Sequence, residues 1–468
     1  MNAVDPAAGS AQGAVAGASG GVTPGAKLGW ALGSVGTVTM LYLVNVFLLY
    51  YLTNYLGIGA GIAGAMLFMT RVYDVVVDPF IGSWSDRTQS RWGRRHPWMV
   101  GGALVATLGC ALLFNLHELP LGSMPVIVAG LVMLVYFTGY TSFYIPHMCL
   151  ASEMTRSYDE RTSVMVYRTT LITIAGIGIT AGIPALVDAW GGRQESYGRV
   201  GLLAAAVVFA SMIGAVLMTP RGALREAQHA GRLRWADIRE LLADRPFVCL
   251  LAAKVIGLLG TAFSGAVLLL FFTQVMQRGP AALSLFGLAS GLGGLAGLPL
   301  WSALARRVGK KRACIAAYVL HALVAISWWI AGPNEPDFAF VARCVLQGAS
   351  GQGSLTLGLA MLLDVLAHDV RASGRSREGV MVGVFALAEK GAFAFGPLLT
   401  GVLLGAMGFM PSTGGAITQP PETIFAARLA MSLIPAALGS VAIVALLLYR
   451  LPEESSRRPD GGASSLRA

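Results

Sequence analysis

The chain has 468 residues, of which 55% are hydrophobic and only 12% are charged, and its mean hydropathy is +0.66. This composition excludes an ordinary soluble domain, in which about 25% of residues are charged. The formal net charge of +10 would suit a nucleic-acid partner, but the basic residues follow a topology pattern described below, so we expect no nucleic acid. Long apolar runs recur along the chain and predict an all-α polytopic membrane protein.

The N-terminal residues, 1–27, are rich in Gly, Ala and Ser and lack the features of a secretory signal, so they are predicted to form a disordered tail. Twelve apolar segments follow, each long enough for a helix that crosses a hydrocarbon core of about 30 Å. The segments lie at about 29–55, 58–84, 97–115, 122–149, 163–188, 199–219, 246–276, 281–304, 313–331, 338–366, 380–407 and 424–449. The polar residues 451–468 are predicted to form a second disordered tail.

A polar stretch at 220–245 divides the segments into two halves, residues 28–219 and residues 246–450. The loop after the second segment of each half carries a similar charged motif. The repeated residues are Asp86-Arg87 with Gly93-Arg94-Arg95, and Arg306-Arg307 with Gly309-Lys310-Lys311. Repeated six-segment halves are typical of major facilitator transporters, so we predict twelve transmembrane helices in two six-helix halves, joined by a cytoplasmic linker.

Basic residues are concentrated in every second loop of this arrangement. They are Arg87, Arg91, Arg94, Arg95, Arg156, Arg161, Arg221, Arg225, Arg232, Arg234, Arg239, Arg306, Arg307, Lys310, Lys311, Arg312, Arg371, Arg375 and Arg377. The intervening loops hold little beyond Arg193, Arg199 and Arg278. Because basic loops stay in the cytoplasm, we predict a multi-pass protein of the cell (inner) membrane with both termini cytoplasmic.

The sequence offers no pattern of residues that indicates catalysis or metal binding. The five cysteines lie in apolar runs without paired spacing, so free thiols are predicted. His, Cys and Asp residues do not have the spacing of metal ligands, and no Ser, His and Asp order suggests a catalytic triad. We therefore expect no catalytic residue, no metal and no cofactor, and a protein that is not an enzyme.

The second apolar segment carries three charged residues, Arg71, Asp74 and Asp78. On a helix the two carboxylates share one face, at about 5–6 Å between Cβ atoms, and Arg71 lies on nearly the same face. Each charge costs about 2.5–3.5 kcal/mol to place in a bilayer, so these side chains are predicted to face a partner or a wet cavity. A functional site and a buried ion-pair network that only holds helices together both fit this pattern.

A longer motif begins at these residues and continues into the following loop. Its residues are Arg71, Tyr73, Asp74, Asp78, Pro79, Gly82, Asp86, Ser90, Arg91, Trp92, Gly93, Arg94, Arg95, Pro97 and Trp98. Further stretches fit in order and position, namely Tyr50-Tyr51-Leu52-Thr53, then Pro146, Glu153-Met154-Thr155, Tyr158 and Glu160-Arg161-Thr162, then Asp364, Gly374, Arg377-Glu378-Gly379 and Glu389-Lys390-Gly391. Together they resemble the glycoside–pentoside–hexuronide:cation symporters, the melibiose-carrier branch of the major facilitator superfamily.

The resemblance implies a role for several matching residues. Asp74 and Asp78 fall on the family's paired cation-site aspartates in helix two. Thr141 falls on its helix-four hydroxyl ligand, and Lys390 falls on the helix-eleven lysine that faces the aspartates. Arg168 lies near the place of a sugar-contacting arginine, so it is predicted to bind solute.

Charged residues at the cytoplasmic rim are predicted to form a gate. They lie beside the cytoplasmic opening of a facilitator-type carrier and are expected to latch one of its conformations. The predicted gate residues are Asp86, Arg87, Arg94, Arg95, Glu153 and Arg161.

Three positions depart from the family's pattern. Val38 and Tyr144 stand where melibiose carriers have sugar-binding aspartates, which argues against melibiose-like solutes. We keep Tyr144 as a candidate solute contact, together with Arg71, whose charge leaves room for an anionic solute such as a uronide. Val77 stands in place of a polar amide, which weakens a sodium site, so H+ and Na+ are both open as the coupling ion.

We therefore predict a cation-coupled secondary transporter (a symporter) that holds a small solute near the bilayer midplane and works by alternating access. The resemblance implies a sugar, glycoside or uronide as the solute. The expected partners are this solute, a monovalent cation and membrane lipid, and the expected state is a monomer. Three alternatives stay open, namely a transporter of lysolipids or amphipathic drug-like solutes, a non-transporting membrane sensor, and a membrane enzyme.

Four residues near segment ends are predicted to lie at the membrane interface. Lys254 and Arg343 are expected to extend their charges toward the headgroups, as long basic side chains do. Trp328 and Trp329 are expected to belong to an interfacial aromatic belt.

Overall fold

The structure is a computed structural model that describes residues 22–118, 124–155, 158–219, 235–373 and 378–450. Within these ranges, twelve helices are long and apolar enough to cross a membrane, and there is no strand. They are α1 (Pro24–Asn54), α2 (Ala60–Arg87), α3 (His96–Leu113), α4 (Pro125–Met154), α5 (Tyr158–Ala189), α6 (Gln194–Met218), α7 (Arg245–Val275), α8 (Pro280–Val308), α9 (Lys310–Ile330), α10 (Asp337–Ser373), α11 (Glu378–Ala406) and α12 (Pro421–Leu448).

Several helices extend beyond the predicted apolar segments. The first helix begins at Pro24, inside the predicted tail, because the Thr23 side chain caps it by accepting a hydrogen bond from the Ala26 amide at 3.3 Å. α10 continues to Ser373, well past the apolar run that suggested it. Helical hydrogen bonds need no apolar side chains, so polar turns carry these helices beyond the segments that hydropathy marks.

Parts of the predicted tails and linker lie outside the described residues. Residues 1–21, 220–234 and 451–468 belong to this group. The described part of the linker contains a short helix, Trp235–Ala243, directly before α7.

Two helices contain a wide, π-helical turn. In α1 this turn spans Leu43–Leu48, and in α7 it spans Phe271–Val275. The first helix of each half therefore carries the same irregularity, so the internal repeat extends to backbone geometry. Turns of this kind are frequent at functional sites.

The helices pack as two bundles of six. In the first bundle, α3 packs on α4 and α6, and α1 packs on α5 and α6. In the second bundle, α8 packs on α10, and α7 packs on α11 and α12. The bundles are joined where α2 meets α11, where α5 meets α8 and where α1 meets α7. This arrangement confirms the predicted fold of two six-helix halves.

The two ends of the bundle differ in how the halves meet. Because the number of spans is even, both described chain ends, Val22 and Arg450, lie at one end, which we call the terminal face. The other end is the opposite face, and the halves touch there. A Cβ atom on Gly401 of α11 would lie only 2.4 Å from the backbone oxygen of Ala60, at the start of α2. Glycine at this position therefore permits direct contact between the two helix backbones.

Backbone hydrogen bonds also fasten the opposite face. The Ser412 amide donates to the Thr53 oxygen at 2.9 Å, and the Gly415 amide donates to the Asn54 oxygen at 3.0 Å. These bonds join the loop after α11, in the second half, to the last residues of α1, in the first half.

The described ion pairs at the terminal face stay within one half. Arg95 Nη2 lies 2.5 Å from Asp86 Oδ1 in the first half, and Lys310 Nζ lies 2.6 Å from Asp364 Oδ1 in the second half. The described contacts therefore close the bundle at the opposite face.

Candidate functional site

The charged cluster of α2 is enclosed by α1 and α4. Asp74 is only 2% exposed, and the Thr141 hydroxyl on α4 donates to its Oδ1 atom at 3.3 Å. Arg71 Nη1 lies 3.7 Å from Asp74 Oδ2, one turn away on the same helix. The predicted sharing of one helix face by Arg71 and Asp74 is therefore observed, and Thr141 comes to the same carboxylate from another helix.

Arg71 is held in place by α1 and α4 as well. Its Nη2 atom donates to Asn45 Oδ1 at 3.1 Å, and its Cζ atom lies 5.3 Å from the centre of the Phe137 ring. Asn45 belongs to the wide turn of α1. Sequence reasoning did not select Asn45, although an amide in a long apolar segment is itself an unusual feature.

The second aspartate of the cluster forms an ion pair across the two halves. Lys390 of α11 donates through Nζ to Asp78 Oδ2 of α2. The side chains of Lys390 and Asp78 are 35% and 17% exposed. The four predicted coupling residues thus come from three helices, α2, α4 and α11, and lie close together. Asp74 is enclosed and Asp78 is more accessible.

These groups form a balanced set of charges. Two cationic side chains, Arg71 and Lys390, face two carboxylates, of which Asp74 is enclosed and Asp78 is partly exposed. Two carboxylates and a hydroxyl supply oxygen atoms, which are the usual ligands of hard cations. A small cation could therefore bind here if the lysine ammonium left Asp78.

A second charged cluster joins the end of α2 to the end of α4. Glu153 Oε1 accepts from Arg94 Nη2 at 2.5 Å and from Arg95 Nε at 3.1 Å. Arg95 is 5% exposed and also donates to the Ser85 hydroxyl at 2.7 Å, and its Nη2 atom contacts Asp86. The structure thus assembles four of the six predicted gate residues.

Of the other two predicted gate residues, only Arg87 has a described side chain. Arg87 is exposed at the last position of α2. The side chain of Arg161 lies outside the described residues, so its predicted role stays a prediction.

The predicted solute contacts lie in the first half. Arg168 donates from Nε to the Ser34 hydroxyl at 3.1 Å, which ties α5 to α1. Tyr144 stacks on Tyr140 of the same helix, with 5.3 Å between ring centres. The roles of Arg168, Tyr144 and Arg71 in solute binding stay predictions.

A cavity of about 350 Å³ lies mainly in the second half, lined by α7 to α12 and, from α1, by Tyr42 and Val46. The three predicted solute contacts are not among its lining residues. Lys254, which was expected at the membrane interface, instead lies in the cavity wall, where its Nζ is 3.0 Å from Glu389 Oε2. Packing of α7 against α11 places this charge inside the bundle, so the interface prediction for Lys254 is wrong.

The prediction of an interfacial aromatic belt fails for Trp328, whereas the interface prediction for Arg343 stays a prediction. Arg343 Nη1 pairs with Glu335 at 2.5 Å, and its Cζ lies 4.7 Å from the Trp328 ring centre. Trp328 is fully buried among aromatic side chains of the second half. Arg343 thus combines an ion pair to Glu335 with packing on the Trp328 ring.

Comparisons with known proteins place the chain in a family. The sequence model of the family described as MFS/sugar transport protein matches residues 29–453. The chain belongs to this family. The predicted resemblance to sugar–cation symporters is therefore confirmed.

This MFS transporter is similar to several named proteins along nearly its whole length. It is 25% identical to a protein of Bacillus subtilis (strain 168) that is named uncharacterized symporter YnaJ, with 92% of each chain covered. It is 24% identical to the glucuronide carrier protein homolog of Escherichia coli (strain K12), with 91% of this chain and 92% of that protein covered. A solved structure of a mutant of the nucleoside transporter NupG superposes with a TM-score of 0.65 at 13% identity, over 91% of this chain and 100% of that chain.

The cysteines of the transporter agree with their prediction. All five are free thiols, and Cys110, Cys314 and Cys344 are buried. Burial without a disulfide partner fits a packing role for these three side chains.

Proposed function

We propose that this transporter is a symporter that carries a sugar, glycoside or uronide together with a monovalent cation, by alternating access. The names of its relatives, a symporter and a glucuronide carrier homologue, support this proposal. The observation that carries it is the ion pair between Lys390 and Asp78, which joins the two halves beside the buried Asp74. A cation that competes for such a pair acts directly on the contact that must change during transport.

In the proposed cycle, the cation and the lysine alternate as partners of Asp78. When the cation binds, the Lys390 ammonium is released and the contact between α2 and α11 loosens. When the cation leaves, the ion pair forms again and restores the charge balance. If solute binds more tightly in one of these states, the affinities for cation and solute are linked reciprocally.

The lack of an amide oxygen at position 77 favours a proton over sodium as the coupling ion. Asp74, Asp78 and Thr141 supply oxygen atoms, whereas Val77, next to Asp78, supplies none. Sodium is held by several oxygens at once, while a proton needs a single carboxylate. We therefore propose H+ as the coupling ion, with Na+ as the competing possibility that the same assay decides.

We also propose that the terminal face is cytoplasmic, because arginine and lysine residues gather there. With that orientation, the structure is closed on the outer side, and we propose that its cavity opens to the cytoplasm. The cluster around Glu153 then lies at the cytoplasmic rim, where we propose that it latches one conformation. Each chain carries both halves and the whole charged set, so we propose the monomer as the transporting unit.

The test is transport by purified protein in proteoliposomes, with methyl β-D-glucuronide and methyl β-D-glucoside as probes. We expect Asp74→Asn and Asp78→Asn to abolish accumulation driven by an H+ or Na+ gradient while leaving counterflow exchange. The matched control is Asp364→Asn, which removes a carboxylate paired with Lys310 at the terminal face. Full gradient-driven accumulation by the Asp74→Asn/Asp78→Asn double variant would overturn the coupling role.

A further inference from the structure

Two neighbouring residues of α11, Glu389 and Lys390, form two separate ion pairs. Lys390 reaches Asp78 on α2, whereas Glu389 reaches Lys254 on α7. Consecutive residues of a helix point about 100° apart, so one turn of α11 serves two different neighbours. The first pair belongs to the proposed cation site. The second pair lies in the wall of the cavity and has no part in the proposed coupling chemistry.

Lys254 is fixed in the cavity wall and partly removed from water. Its side chain is 17% exposed, and its Nζ atom lies 4.3 Å from the centre of the Phe385 ring, which is itself 4% exposed. An ammonium group on an aromatic face in a confined site has lost hydration and requires an anionic partner. In this structure that partner is Glu389.

Glu389 is the more exposed member of the pair. Its side chain is 42% exposed, against 17% for Lys254. Because exposed ion pairs are weak, a carboxylate with this much exposure can rotate away from the lysine and be hydrated in the cavity. An incoming anion can therefore displace Glu389 from Lys254 more readily than it can displace Lys254 from its place beside Phe385.

A second polar group in the same wall has no partner. Gln347 Oε1 is buried and accepts no hydrogen bond within the described part of the chain, and Gln347 lines the cavity. A buried acceptor without a donor is destabilising, so a site of this kind favours a ligand that brings a hydroxyl or amine.

We propose that Lys254 and Glu389 determine which solute the transporter accepts. Lys254 binds an anionic group of the solute, Glu389 occupies Lys254 only while the cavity is empty, and Gln347 accepts a hydrogen bond from a hydroxyl of the same molecule. The solute is then a small hydroxylated organic acid whose acid group lies in the second half. This inference rests on the proposed function and narrows its solute class.

The cavity size agrees with a compact solute. Its volume of about 350 Å³ lies at the lower end of the range of about 300–1,000 Å³ that is usual for small-molecule sites. The rival arrangement is that Glu389 accepts hydrogen bonds from a neutral sugar while Lys254 only orients it. The two arrangements predict opposite effects of removing the Glu389 charge on solute affinity. The first predicts tighter binding of an acid, and the second predicts weaker binding of a sugar.

The experiment measures the Kd of methyl β-D-glucuronide and of methyl β-D-glucoside with purified full-length protein. These probes differ only by a carboxylate in place of a hydroxymethyl group. The variants are Lys254→Met and Glu389→Gln, with Lys310→Met as the matched control, because Lys310 also pairs with a carboxylate in the second half but lies at the terminal face. Size-exclusion profiles establish that each variant is folded.

We expect the unmodified protein to bind the glucuronide at least about tenfold more tightly than the glucoside, as a hydrogen bond to a charged group allows. Lys254→Met should remove this preference, Glu389→Gln should tighten glucuronide binding several-fold, and Lys310→Met should change neither. Should Lys254→Met fail to fold, Glu389→Gln alone decides, since the rival arrangement predicts the reverse effect. Binding of neither probe, an equal affinity for both, or weaker glucuronide binding by Glu389→Gln would overturn the proposal.

The same measurement, repeated with and without Na+ and at several pH values, separates this inference from the proposed function. Cation-dependent binding without a Lys254-dependent preference removes the selectivity proposal and leaves the symporter intact. The opposite outcome is a preference for the glucuronide that depends on Lys254, with binding that neither a cation nor the Asp78→Asn substitution alters. It removes the coupling and leaves the selectivity.

Discussion

Lys390 on α11 donates to Asp78 on α2, and this ion pair connects the two halves of the protein. One helical turn away, Asp74 is 2% exposed and has Thr141 and Arg71 as partners. Asp78 is therefore accessible to an exchanging cation, whereas Asp74 is enclosed. Our proposal that the halves respond to a cation depends on this difference.

The first prediction concerns the energy of the Lys390–Asp78 pair. Lys390→Ala leaves a carboxylate without its partner, so we expect a loss of about 1–3 kcal/mol in unfolding free energy. Asp78→Asn should be destabilising for the same reason, and the two changes together should cost less than their sum. Thermal unfolding of the four proteins of this cycle measures the coupling. As a control, Lys390→Ala combined with Asp364→Asn should be additive, and additivity in the first cycle would show that the ion pair has no energetic role.

The second prediction contrasts two carboxylates of the rim cluster. Glu153 is buried and accepts from both Arg94 and Arg95, so Glu153→Gln should destabilise the protein by about 3–5 kcal/mol, as the breaking of a buried charge pair does. The Asp86 side chain is 53% exposed, so Asp86→Asn should cost about 0–1 kcal/mol. Melting temperatures of the purified variants give this comparison.

Transport by Asp86→Asn tests the latch itself. We expect altered transport kinetics with the fold intact, because the substitution removes one of the contacts that hold Arg95 at the rim. Kinetics and cysteine accessibility at the terminal face that both match the unmodified protein would exclude a latch role for Asp86.

The third prediction concerns the close contact at the opposite face. A Cβ on Gly401 would lie 2.4 Å from the Ala60 oxygen, so Gly401→Ala should push α2 and α11 apart at a cost of about 1–3 kcal/mol. The matched control is Gly405→Ala, one turn further on, where a Cβ would be at an ordinary 3.5 Å from its nearest neighbour. Cysteine labelling at the opposite face should rise in the first variant only. Equal labelling in both variants would show that this contact does not set the closed state.

The fourth prediction concerns orientation. In sealed cells, with the native cysteines replaced, a cysteine at Ser90 should resist a membrane-impermeant reagent because the terminal face is expected to be cytoplasmic. A cysteine at Glu118, which is 70% exposed at the opposite face, should react. Labelling at position 90 from outside would reverse the proposed topology.

Sequence alone was sufficient for features that depend on local spacing. The length of the apolar runs gave twelve spans, and the spacing of Asp74 and Asp78 placed both on one helix face. The resemblance to a known family added Thr141 and Lys390, which the structure brings to the same site from two other helices.

Features that depend on which distant helices meet were not predictable. Lys254 and Glu389 are far apart in sequence, and no local pattern indicates that α7 carries one to the other. A lysine near the end of an apolar segment is predicted to be interfacial, because such side chains usually extend their charge to the headgroup region. Asn45 was missed for the same reason, since its partner Arg71 comes from a different helix.

The wide turn of α1 lies between two contacts of that helix, one to Arg71 and one to the loop after α11. Asn45 lies within the turn and is held by Arg71, while Thr53 and Asn54 lie beyond it and accept hydrogen bonds from the loop after α11. A wide turn can relax toward ordinary helical geometry, and the segment beyond it then rotates. A change of charge beside Arg71 would thus rotate the end of α1 and weaken its hydrogen bonds to the loop after α11. Faster hydrogen exchange of the Gly415 amide in an Asn45→Ala variant would register this transmission, and an unchanged rate would rule it out.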